Sequence, residues 1–108
     1  MKKILLVDDM SEVHEKVDPI FRGGFDSAND LEEALEKLER GEYSLVITDY
    51  HLGDDAPSGG LDVINSARKK GIDSILMSRE YHGEEAITAG AVGFVFKKLF
   101  LDTYGKRN

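Results

Sequence analysis

Leu45-Val46-Ile47-Thr48 is a short, largely β-branched apolar run that stops at Asp49. The same pattern recurs along the chain. Ile4-Leu5-Leu6-Val7 ends in Asp8-Asp9, Ser74-Ile75-Leu76-Met77 in Ser78, and Val92-Gly93-Phe94-Val95-Phe96 in Lys97. Helical patterns separate these runs, which predicts βαβ units around a parallel sheet. In an open α/β sheet the ligand crevice lies outside the carboxyl ends of the strands, so Asp8, Asp9, Asp49, Ser78 and Lys97 are expected to converge there.

Between the strands, residues 11–22 read as a helix, with Ser11 as cap and Val13, Val17 and Phe21 on one face. Pro19 predicts a kink or an end near Asp18. Gly23-Gly24 breaks the chain before a weak strand at Phe25-Asp26-Ser27-Ala28. Asp30 and Glu33 form a capping-box-like start for a helix whose stripe is Leu31, Ala34, Leu35 and Leu38, and Gly41 ends it. A loop from Gly53 to Gly60 leads into a helix carrying Leu61, Ile64 and Ala67, which Gly71 stops. A short helix spans roughly Gly83 to Ala89, and few residues follow Lys97, so the last helix is expected to be brief. The expectation is five strands and five helices in one domain covering residues 1–108, without internal repeats.

Composition narrows the function. The chain has no cysteine, which rules out disulfides and thiolate sites and suits a reducing, cytoplasmic compartment. Met1-Lys2-Lys3 opens like a signal peptide, but the apolar run breaks at Asp8, and no stretch is long enough to span a membrane. A formal charge of −7 repels phosphate backbones, so a basic protein surface is a better partner than nucleic acid.

The chemistry lies at the strand ends. Three carboxylates, Asp8, Asp9 and Asp49, cannot crowd together as bare anions without raising one another's pKa or recruiting a cation, and a divalent metal is the simplest answer. Taken alone, Asp8-Asp9 also reads as a polar turn capping a helix, and Ser78 is uninformative. In order and in register with Asp49 and Lys97 they carry more weight. The histidines His14, His51 and His82 show no carboxylate or thiolate at ligand spacing. The Glu32, Glu33, Glu36 and Glu39 face reads as solvated.

The sequence Asp8-Asp9, Asp49, Ser78 and Gly90-Ala91-Val92-Gly93-Phe94-Val95-Phe96-Lys97 resembles the receiver domain of two-component response regulators over essentially the whole chain. The resemblance implies a flavodoxin-like five-stranded parallel sheet of order 2-1-3-4-5 with helices on both faces. It implies Asp49 as phosphoacceptor from a histidine kinase or a histidine phosphotransfer protein. It further implies Asp8, Asp9, Asp49 and the His51 backbone carbonyl as ligands of Mg2+ (or Mn2+), and Lys97 and Ser78 as contacts to the phosphoryl oxygens. Ser78 and Phe94 would form a switch, although Phe94 reads equally well as core. Such a domain is not an enzyme on other substrates; it catalyses only its own phosphorylation and dephosphorylation and acts on a downstream protein in trans. The brief last helix and the charge of −7 predict a monomer when unphosphorylated.

Departures from the family pattern are Lys98 in place of the usual proline, which predicts a trans peptide, and Arg79 in place of a small residue. The loop after Asp49 is also longer and carries Asp54-Asp55. Arg79 is expected at the rim of the site, where pairing with Asp54 or Asp55 would close a lid and modulate the phosphoryl lifetime. Two other readings of these residues stay open: a pseudo-receiver that binds partners without phosphorylation, and a Mg2+-dependent phosphatase or nuclease. The enzyme generally wants an Asp-x-Asp spacing that this chain lacks.

Overall fold

The computed structural model describes residues 3–9 and 25–104. The expected helix over 11–22, with its Pro19 kink, lies outside the described residues. Strands β1 (Lys3–Val7), β2 (Phe25–Ala28), β3 (Tyr43–Asp49), β4 (Asp73–Ser78) and β5 (Gly93–Phe96) form one parallel sheet of order β2-β1-β3-β4-β5. The helices among the described residues are α1 (Leu31–Arg40), α2 (Gly59–Lys69), α3 (Gly83–Ala89) and α4 (Lys97–Tyr104).

Alternation along the strands divides the core. Leu5, Val7 and Val46 point to one face, where Ala34 and Leu38 of α1 and Val63 and Ala67 of α2 cover them. Leu6, Ile47 and Met77 point to the other, under Phe100 of α4. Leu76 meets Ile64 of α2 and Ala86 of α3. Helices therefore pack on both faces. Burying a Leu or Ile fully in such a layer contributes about 1.5–3 kcal/mol, and these central side chains are 0–4% exposed.

The cap of α1 shows how local sequence sets an element. Asp30 Oδ1 accepts a hydrogen bond from the Glu33 N–H at 2.7 Å, and Glu33 Oε1 accepts one from the Asn29 N–H at 2.6 Å. The reciprocal pair is a capping box with its return bond displaced by one residue. Helix α2 starts at Gly59, two residues before the expected Leu61, because the Gly59-Gly60 pair belongs to the helix and not the loop. Gly60 has to be glycine: a Cβ there would collide with the Asp49 carbonyl oxygen and stand 2.8 Å from the Tyr50 Cα. The Gly60 N–H also donates to the Tyr50 carbonyl at 2.9 Å, which ties α2 to the end of β3. At the other end Gly71 takes φ +73°, a left-handed turn that stops α2 as expected. No helix among the described residues is long and apolar enough to cross a membrane.

Candidate functional site

Strand register brings the polar ends together. Val7 pairs with Thr48 and Asp49 with Met77, so Asp8 and Asp49 leave neighbouring strands at the same level. Ser78 pairs with Phe96, so the next residue, Lys97, emerges beside them. Lys97 is the first residue of α4 and not the last of β5, a shift of one position that leaves its side chain facing the carboxylates.

The Lys97 ammonium donates a hydrogen bond to Asp49 Oδ2 at 3.0 Å and lies 2.8 Å from Asp8 Oδ2. Asp8 is wholly buried, Asp49 is 7% and Lys97 4% exposed, whereas Asp9 is open to solvent. Asp8, Asp9 and Asp49 each place a carboxylate oxygen within 4.8 Å of the others, the one such grouping of metal-ligating side chains among the described residues. Burial pushes the Asp49 carboxyl above the usual carboxylate range, and the neighbouring Asp8 charge adds to this. The Lys97 ammonium and the Tyr50 N–H, which donates to Asp49 Oδ1 at 3.0 Å, offset only part of the rise. For Lys97 burial works against the ammonium, but Asp8 and Asp49 outweigh it and hold its pKa above the ordinary lysine value.

These groups open into a pocket of about 550 Å³ lined by Asp9, Asp49, His51, Ser78, Arg79 and Lys97, together with Tyr50, Pro57, Glu80 and His82. Ser78 Oγ accepts a hydrogen bond from the Glu80 N–H at 3.2 Å, a bond that leaves its own O–H proton unused. Phe94 is half-buried against the Ile64–Leu76 cluster and meets Tyr81 and Phe96 edge-on at 5.4 and 5.1 Å. Lys98 points to solvent, and no peptide bond among the described residues is cis.

Asp54 and Asp55 line a groove with Asp9, Asp30 and Leu52, while Arg79 lines the main pocket. One expectation changes. His82 does have a carboxylate partner: its Nδ1 lies 2.8 Å from Glu85 Oε1. Its ring also stacks on Tyr50, which the sequence reading passed over. A His followed three residues later by Glu at a helix start was the available signal.

A family model, the response regulator receiver domain, matches residues 4–104. The chain belongs to this family. The receiver is similar to a Thermotoga maritima response regulator solved in complex with Mg2+-BeF, at 32% identity over 95% of this chain and 92% of that one, with a TM-score of 0.73. A two-component response regulator from Clostridium difficile superposes with a TM-score of 0.80 at 20% identity, covering 95% of this receiver and 88% of its own chain. A Burkholderia pseudomallei response regulator with a phosphorylated aspartic acid, a calcium ion and citrate gives 0.75 at 19% identity, over 95% of this chain and 64% of that one. At these lower identities the likeness concerns the fold. No curated protein matches the chain.

Proposed function

We propose that residues 1–108 form one receiver unit that takes a phosphoryl group onto Asp49 from the phosphohistidine of a histidine kinase or phosphotransfer protein. An Asp49 carboxylate oxygen attacks phosphorus, the P–N bond breaks, and the donor imidazole leaves as an acyl phosphate forms. The observation that carries this reading is the buried Lys97 ammonium, 3.0 Å from Asp49 beside a cluster of carboxylates that share a 4.8 Å sphere.

Asp8, Asp9 and Asp49 supply hard oxygen ligands, and with the His51 carbonyl they make a donor set suited to Mg2+ or Mn2+. Bound there, the metal neutralises charge on the transferred group. Lys97 pairs with a phosphoryl oxygen as a point charge. Ser78 turns its unused O–H proton to another, giving up the bond from the Glu80 N–H. That shift moves the loop ahead of α3, and Phe94 repacks against Tyr81 and Phe96 to change a protein-binding face. Arg79, exposed at the pocket rim, modulates how long the phosphoryl group survives. The chemistry is confined to the domain's own phosphorylation and dephosphorylation.

The test is an NMR titration with Mg2+ followed by beryllofluoride. Saturable shifts should appear first at Asp8, Asp9 and Asp49 and, with beryllofluoride, extend to Ser78 and Phe94. Shifts with Mg2+ but none with beryllofluoride would favour a domain that binds partners without phosphorylation.

A further inference from the structure

Tyr50, which follows Asp49, forms with His82 and Glu85 a closed arrangement that the proposed reaction leaves unused. The His82 ring lies flat on Tyr50, with centroids 3.7 Å apart and planes 2° from parallel. Its Nδ1 is 2.8 Å from Glu85 Oε1, and the Tyr50 hydroxyl donates to Glu85 Oε2 at 3.1 Å. The hydrogen bond from His82, and then that from Tyr50, hold the Glu85 carboxyl below its usual range, so it is an ionised acceptor. An ionised carboxylate donates nothing, so His82 Nδ1 must carry the proton of that bond. In the neutral imidazole Nε2 is then left with its lone pair. His82 and Asp49 line the same pocket.

We propose that His82, with its tautomer fixed by Glu85 and its ring plane by Tyr50, is the general base for hydrolysis of the acyl phosphate on Asp49. This inference rests on the phosphorylation of Asp49 proposed above. A water in the pocket gives its proton to Nε2 while its oxygen bonds to phosphorus. The bond between phosphorus and the Asp49 oxygen breaks, which releases orthophosphate and restores the carboxylate. Nε2 returns the proton to solvent. The arrangement repeats the logic of a carboxylate-oriented imidazole, in which the acid holds the ring and does not itself take the proton.

The experiment loads the parent protein and its variants with acetyl phosphate and Mg2+, confirms the added phosphoryl group by intact mass, removes the donor and follows its loss. His82→Phe keeps a ring to stack on Tyr50 but has no Nε2, and hydrolysis should slow by about 100-fold, the low end of what a positioned general base contributes. Glu85→Gln, at a side chain 49% exposed and so safe for folding, should slow it several-fold by loosening the tautomer. Unchanged or faster decay in His82→Phe overturns the inference, because the ring would then be only a wall against water. Failure of His82→Phe to load while the parent loads overturns it equally, since loading needs no hydrolytic base. A parent that never gains a phosphoryl group instead sinks the proposed function itself.

Discussion

Replacing Lys97 by methionine keeps most of the aliphatic stem but removes an ammonium 2.8 Å from Asp8 and 3.0 Å from Asp49. Coulomb's law at an effective dielectric of about 20 gives roughly 5 kcal/mol for each unit-charge contact near 3 Å, most of which desolvation offsets. The side chains are 5%, 0% and 10% exposed, so solvent screening takes little away. Breaking such a buried group by removing one partner costs about 3–5 kcal/mol. Protonation limits the loss, since one pKa unit is worth about 1.4 kcal/mol and Asp49 is already raised. The expectation for the metal-free variant at neutral pH is therefore about 3 kcal/mol, or roughly 12–24 °C in Tm for a domain of this size. The sign of the pH dependence follows from Asp49. Its folded pKa is raised, so between the ordinary value and the raised one the folded state holds more protons than the unfolded state, and stability falls as pH rises through that window. Acidification should therefore narrow the gap between variant and parent, and Mg2+ should stabilise the variant more than the parent. The assay is urea unfolding in EDTA at several pH values, repeated with Mg2+. A loss below about 1 kcal/mol, or a gap insensitive to both pH and Mg2+, would mean that the Lys97 contacts contribute no more than an exposed ion pair.

Asp9→Asn removes an exposed carboxylate from the cluster without depriving Lys97 of a contact. Unfolding in EDTA should show it unchanged or up to about 1 kcal/mol more stable, while Mg2+ loses most of its stabilising effect. Asp8→Ala behaves in the opposite way, since it strips a wholly buried partner from Lys97; a stabilised Asp8→Ala in EDTA would count against the ion cluster. Gly60→Ala forces a methyl against the Asp49 carbonyl and should cost about 1–3 kcal/mol in the same assay, with backbone NMR shifts centred on Asp49 and Tyr50. Arg79→Ala, measured by decay of the phosphorylated protein, should alter the lifetime; an identical decay curve removes Arg79 from the site.

The cluster of Asp8, Asp9, Asp49 and Lys97 was legible because its members lie where apolar runs end. Once the strands are parallel, register alone sets Asp8 beside Asp49 and Lys97 beside Ser78. The cap of α1 was legible for a similar reason: Asp30 and Glu33 act within one turn. What escaped depends on loops. The Tyr50–His82 stack joins residues from two different connections, and no periodicity relates them. The start of α2 at Gly59 was hidden because paired glycines read as a break, whereas here lack of a side chain lets the helix approach the backbone of β3. Arg79 and the Asp54-Asp55 pair line different clefts, a separation that charge complementarity alone does not reveal.

Asp49, held by Lys97 beside Asp8 and Asp9, is the proposed phosphoacceptor. Its most direct test is intact-mass analysis, with peptide mapping, of the protein treated with acetyl phosphate in Mg2+. One added phosphoryl group, on the peptide that contains Asp49 and absent from Asp49→Asn and from EDTA-treated protein, is the predicted result. A phosphoryl group that forms equally on Asp49→Asn, or without a divalent metal, would contradict it.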